Sequence, residues 1–223
     1  MHDKNEEELA GASVLAALRR LIPERQVHYA EALQVAELQA ARLRRLTDVG
    51  DEPVTCAVIA GLPRFEVVQR RLPTSGMSYW NGRVWVICLN GGEPLTRQRF
   101  TLLHEFKHII DHGRAERLYA PTPQQSAEAL TERACDYFAG CVLMPKALMK
   151  RAWGDGLQRP SLLAAHFDVS PRAAAVRLAQ LGLTEPVARC VARYRAHRRN
   201  WRPSHDHFSP ARRPVFTPTE VPA

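Results

Sequence analysis

The stretch "TLLHEFKHIIDHG", residues 101–113, leaves this chain few ways to fold. Wound as a helix at about 100° per residue, it puts Leu102, Leu103, Phe106, Ile109 and Ile110 on one side. His104, Glu105 and His108 then fall within about 100° of arc on the other side. One face must enter a core, and the opposite face presents two imidazoles a single turn apart. Two His at i and i+4 can both reach one zinc ion, and the intervening Glu stands beside it, placed to take a proton from an attacking water. The composition of the chain would produce His-Glu-x-x-His by accident in only about 2% of cases. The facial segregation lowers that further, so the segment reads as a metal-binding helix with Glu105 placed to hydrogen-bond a zinc-bound water.

A catalytic zinc takes a third protein ligand and keeps one position open. His112 shares the polar face but sits about 6 Å beyond His108 along the axis, so it reads as a supporting or simply polar group. The pattern with a third His six residues on would need Gly at 111 and His at 114. Those positions hold Asp111 and Arg114. The ligand therefore has to come from another helix. Residues 126–145, "SAEALTERACDYFAGCVLMP", supply one. Leu130, Ala134, Tyr137, Phe138 and Cys141 face one way, and Glu128, Glu132 and Asp136 face the other. Periodicity leaves Glu128 and Glu132 as competing third ligands. An acid one turn after a ligating Glu is suited to accept the second N–H of a ligating His, which is the role expected of Asp136.

The rest of the chain reads as a mostly helical α+β protein. Helical periodicity runs over 6–21 and 28–47, and "VTCAVIAGL" (54–62) is read as a short helix with Thr55 at its N-cap. Strand patterns follow at 64–70, 77–80 and 83–89. Asn81-Gly82 predicts a tight type I′ hairpin between the last two, and the three together predict a small antiparallel sheet. Residues 114–125 read as a polar linker. "PSLLAAHFDVSPRAAAVRLAQLGL" (160–183) reads as helix, turn at Asp168–Pro171, helix, with a glycine stop. The expected divisions are N-terminal helices over 1–50, a metal-binding core over 51–150, a helix-turn-helix-like segment over 151–186, and a tail over 187–223.

The net charge of +8 on 223 residues invites a nucleic-acid reading, but it is concentrated. Residues 187–223 hold eight Arg against Asp206 and Glu220, so six of the eight net charges lie in a Pro-rich tail. That tail reads as solvated and disordered, with at most a weak contact to a polyanion. Five scattered cysteines without a CxxC pair read as reduced thiols in a cytoplasm. No apolar run is long enough to span a membrane, and the acidic start lacks the features of a secretory signal.

Three segments carry a resemblance to the ImmA/IrrE-type metallopeptidases, bacterial cytoplasmic zinc proteins of the gluzincin kind. "RQRFTLLHEFKHIIDHG" (97–113) is similar to that family's zinc helix, and "ERACDYFAGCVLMP" (132–145) to its second ligand helix. "LAAHFDVSPRAAAVRLAQLGL" (163–183) resembles the helical segment that follows. The resemblance implies a zincin-like core with Zn²⁺ held by His104, His108 and Glu132 rather than Glu128, Glu105 as general base, and Asp136 beside a ligand. It also implies a protein substrate, a helix-turn-helix repressor controlling a mobile element, a phage or a stress response. Lys107 departs from the small residue usual before the second His. By projection it adds a cation near the site, which could alter substrate preference. Tyr79, His112, Tyr119 and Arg99 are candidates to stabilise an oxyanion.

Two rival readings compete with the peptidase. A DNA-binding regulator would use Arg172, Arg177 and Gln180 on the second helix of 160–183 to read bases. A protein-interaction module would keep zinc for structure alone, a role that has no need of Glu105.

Overall fold

The computed structural model describes residues 14–183. The expected helix at 6–21 lies partly outside them, and the basic tail wholly. A helical stretch at 14–19 leads into α1 (Tyr29–Leu46), and α2 (Cys56–Ala60) follows with Thr55 at its N-cap position. Then come β1 (Phe65–Arg70), β2 (Gly76–Trp80) and β3 (Trp85–Asn90). The metal-helix segment is α3 (Leu95–Asp111), with the short α4 (Ala115–Leu118) after it. α5 (Ala127–Leu143) and α6 (Lys146–Gly154) complete the centre, and α7 (Pro160–Phe167) with α8 (Pro171–Gln180) form the closing pair.

The sheet departs from the expected one. Its order is β1-β3-β2, with β2 antiparallel to β3 but β1 parallel to it, Phe65 opposite Trp85 and Arg70 opposite Asn90. The sheet is therefore mixed rather than antiparallel. The hairpin also differs from type I′. Trp80 pairs with Trp85, leaving a four-residue connection in which Asn81 Oδ1 accepts the N–H groups of Arg83 and Val84. Only Gly82 takes positive φ there, at 94°. The Asn side chain substitutes for a backbone acceptor, so the loop closes without a left-handed Asn.

α3 lies against this sheet on one side and α5 on the other. Leu102, Leu103, Phe106, Ile109 and Ile110 are buried as the apolar face predicts, and Phe106 meets Phe65 of β1 at 5.3 Å between ring centroids. Each such side chain contributes about 1.5–3 kcal/mol when fully buried. α1 packs along α5 and closes the core. Ser126 caps α5 by accepting the Ala129 N–H, and Arg19 donates to the C-terminal carbonyls of Ile109 and Ile110 on α3. A cation at that end also suits the helix dipole.

Two glycines answer specific demands. Gly182 ends the closing pair with φ 66°. Gly76 lets β2 approach α3, since a Cβ there would lie 2.5 Å from Thr101 Cγ2 and 3.0 Å from the Cys88 carbonyl oxygen. Gly76→Ala should therefore cost about 1–3 kcal/mol through overpacking, read as a lower urea midpoint. An unchanged midpoint would mean that β2 has slack against the helix.

Candidate metal centre

Packing of α3 against α5 brings residues 104 and 108 to face residue 132. His104 Nε2 and His108 Nε2 lie 3.1 Å apart. Glu132 Oε2 is 3.2 Å from His104 Nε2, and its Oε1 is 3.2 Å from His108 Nε2. A tetrahedral zinc with bonds of about 2.0–2.1 Å separates its ligand atoms by about 3.3–3.4 Å. The two imidazole nitrogens lie close to that spacing, and each has one Glu132 oxygen at a similar distance. Glu128 lies exposed one turn earlier on α5, and no contact ties it to the pair of imidazoles. Of the two acids that periodicity left open, the axial offset of the helices brings Glu132 to the imidazoles.

Asp136 Oδ1 lies 2.8 Å from His104 Nδ1. With Nδ1–H donating to that carboxylate, the Nε2 lone pair is turned toward Glu132 and His108. Burial works against charge on His104. The hydrogen bond to Asp136 and the carboxylates of Asp136, Glu132 and Glu105 outweigh it, and its pKa rises. A field that favours a proton there also favours a divalent cation.

Cys135 Sγ also lies within 4.8 Å of the two imidazole nitrogens. Its thiol is fully buried on the core side of α5, and that burial drives its pKa well above the ordinary value. Glu132, by contrast, is 52% exposed and aims both oxygens at the imidazoles. The imidazoles are thus flanked by a carboxylate on the open side and a thiol on the core side. Glu132→Ala should accordingly weaken zinc binding more than Asp136→Ala, for which loss of the supporting acid predicts about 10–100-fold. Glu128→Ala should leave it unchanged. Competition titration against a chromogenic chelator measures all three.

Glu105 has a partner that the sequence did not suggest. Ser78 Oγ on β2 donates to Glu105 Oε2 at 2.8 Å, which leaves Oε1 free. A lone serine in a strand carries no motif, and only the close approach permitted at Gly76 could have pointed to it.

Lys107 is not near the substrate side. It is 0% exposed, with Nζ 2.6 Å from both Asp111 carboxylate oxygens. Tyr119 donates its hydroxyl to the same carboxylate at 2.6 Å, and that burial and charge raise the tyrosine pKa. This ionic cluster sits beneath the metal helix, with Lys107 Nζ 6.0 Å from the Phe138 ring centroid on α5. Tyr119 is thereby removed as an oxyanion partner. So is Arg99, which is buried and donates to the carbonyls of Val54 and Asp168 and to the Asp168 carboxylate. His112 and Tyr79 remain exposed, and His112 lines a cavity of about 270 Å³ together with His108 and Ser78.

The α7–α8 pair is joined to the same core. Arg99 of α3 holds the left-handed Asp168 between the two helices, and Arg177 donates Nε to the Met144 carbonyl. Arg177 is only 1% exposed, so it cannot read bases. Arg172 and Gln180 line a cavity of about 420 Å³ that reaches Asp136.

A helix carrying His-Glu-x-x-His, crossed by a second helix that presents a glutamate to both imidazoles, is the arrangement of a metallopeptidase-like centre. Residues 71–179 match the model of the Peptidase_M78 family, the IrrE N-terminal-like domain, and form a domain of that kind. A Mycobacterium tuberculosis transcriptional regulator of known structure aligns with a TM-score of 0.53 at 19% identity, over 79% of this chain and 53% of that one. At that identity the likeness is one of fold, and the chain spans about half the regulator's length. No curated protein matches the sequence. Among the described residues no helix is long and apolar enough to cross a membrane.

Proposed function

We propose that this protein is a zinc-dependent endopeptidase that cuts a protein substrate, a helix-turn-helix transcriptional repressor governing a mobile element, a phage or a stress response. The observation that carries the reading is the meeting of two imidazole nitrogens 3.1 Å apart with the two Glu132 oxygens, each 3.2 Å from one of them, and Glu105 alongside. His104, His108 and Glu132 would hold the metal, and Asp136 fixes the tautomer and ring orientation of His104. Zinc, when bound, lowers the pKa of water and polarises a carbonyl oxygen.

The chain's own groups do the remainder. Glu105 is held through Oε2 by Ser78 and keeps Oε1 free to accept a proton from the attacking water. That proton can then pass to the departing amine. β2 is an edge strand, with β3 on one side only. An extended substrate segment can add along it through main-chain hydrogen bonds, which tolerate varied sequence. His112 and Tyr79 are the exposed groups able to approach a developing oxyanion.

A purely structural metal site is closed by its ligands. The partial exposure of Glu132 and the cavity beside His108 favour the catalytic reading instead. The DNA-binding reading is weakened by the burial of Arg177.

The test is incubation of the zinc-loaded full chain with the repressor encoded beside its gene. Two discrete fragments should form, and a chelator should prevent them. An intact repressor in the presence of zinc would count against the assignment of substrate.

A further inference from the structure

The metal centre leaves a larger feature beside it without a role. The cavity next to His108 is lined by Ser78, Trp85, His112 and Thr131 among others. Trp85 and His112 also line a second cavity of about 750 Å³, so the two adjoin. The walls of the larger one include Phe65, Trp80 and Trp85, and its rim carries Arg20, Arg64 and Arg114.

Its aromatic wall is organised. The Trp80 and Trp85 ring centroids are 5.4 Å apart, and His112 meets Trp85 edge-on at 5.1 Å. Arg64 adopts φ 65°, an uncommon conformation for a residue other than glycine, and its guanidinium lies 5.4 Å over Trp80.

Among the described residues, no acid pairs with the charge at the rim. Arg19, also in the lining, is committed to the carbonyls of Ile109 and Ile110. Glu24, the acid in the lining, is paired with Arg117. Among the described residues, no carboxylate lies within 4.0 Å of Arg20, Arg64 or Arg114. Indole surface beside guanidinium groups that have no carboxylate partner among the described residues suits a ligand that is apolar and anionic at once. Bases of a single nucleic-acid strand could also stack there. The cavity, however, lies at the Trp80 end of β2, where an added peptide strand would pass on its way to His108.

We propose that this cavity is the specificity pocket for the segment to be cut. It takes a bulky apolar or aromatic substrate side chain against Trp80 and Trp85, with an adjacent acidic residue held by Arg64 and Arg114. The proposal rests on the peptidase reading of the metal centre.

The experiment uses the zinc-loaded full chain carrying Glu105→Gln, so that bound peptide survives. A phage-displayed library of random peptides is panned against it, and one enriched peptide is synthesised for titration by fluorescence anisotropy. Enriched sequences should pair Asp or Glu with Trp, Phe, Tyr or Leu. Arg64→Glu and Arg114→Glu should each weaken the peptide at least tenfold, and Trp80→Ala should do likewise. Arg42→Glu, on the exposed face of α1, should not. Far-UV circular dichroism of each variant confirms that it is folded. Failure to enrich acidic–apolar sequences, or affinities indifferent to Arg64→Glu and Arg114→Glu, would overturn the assignment. Displacement of the peptide by single-stranded oligothymidylate that Arg64→Glu no longer binds would also overturn it, giving the pocket to nucleic acid. Because the readout is binding without turnover, loss of the peptidase activity itself would leave the result standing, and the reverse holds equally.

Discussion

Glu105→Gln will slow substrate cleavage by about 10²–10⁴-fold, the range expected on losing a positioned general base, while zinc content stays at the wild-type level. The amide preserves the shape of the side chain and can still accept from Ser78 Oγ, which lies 2.8 Å from the carboxylate today. What it cannot do is take a proton. Glu105 is also not among the groups that meet at the donor cluster of His104, His108 and Glu132, so the metal should be indifferent to the change. Single-turnover cleavage followed on gels, paired with metal analysis of the same preparation, separates the two effects. A variant that cleaved at the wild-type rate would remove Glu105 from the chemistry.

Lys107→Ala should cost about 3–5 kcal/mol of folding stability, because it strands the Asp111 carboxylate in the core without its cation. The pair is fully enclosed, with both carboxylate oxygens 2.6 Å from Nζ, and the Tyr119 hydroxyl alone cannot balance the charge. Replacing the whole cluster by Lys107→Met, Asp111→Leu and Tyr119→Phe removes every charged and polar group together. The combination should return stability to within about 1 kcal/mol of wild type or above it, since a well-packed apolar substitute often equals or exceeds a buried ion pair. Urea unfolding of the two variants measures this. If Lys107→Ala cost under about 1 kcal/mol, the cluster would be wetter or looser than its geometry implies.

Much of the centre could be read from residue spacing. His104, Glu105 and His108 share a face whatever the tertiary structure does, because helical geometry alone places them there. Glu132 and Glu128 did not separate in this way. They lie on the same side of one helix a turn apart, and only the axial position of α5 against α3 distinguishes them. Lys107 was misread for a related reason. A projection assigns directions around an axis, but it cannot show that Lys107 turns to Asp111 in the core rather than toward the metal side. The sheet followed the same logic. Antiparallel pairing of β2 with β3 is local and was visible, whereas the parallel pairing of β1 with β3 skips a strand and depends on packing under α3. The short helices α4 and α6 fell in stretches without enough periodicity to register. Ser78 had no signature, since its importance comes entirely from the 2.8 Å contact with Glu105.

Anomalous scattering at the zinc edge, from crystals of the zinc-loaded full chain, tests the central claim most directly. A single strong peak should lie about 2.0–2.1 Å from His104 Nε2, from His108 Nε2 and from one carboxylate oxygen of Glu132. No peak at that position, or a peak ligated by Cys135 in place of Glu132, would contradict the account.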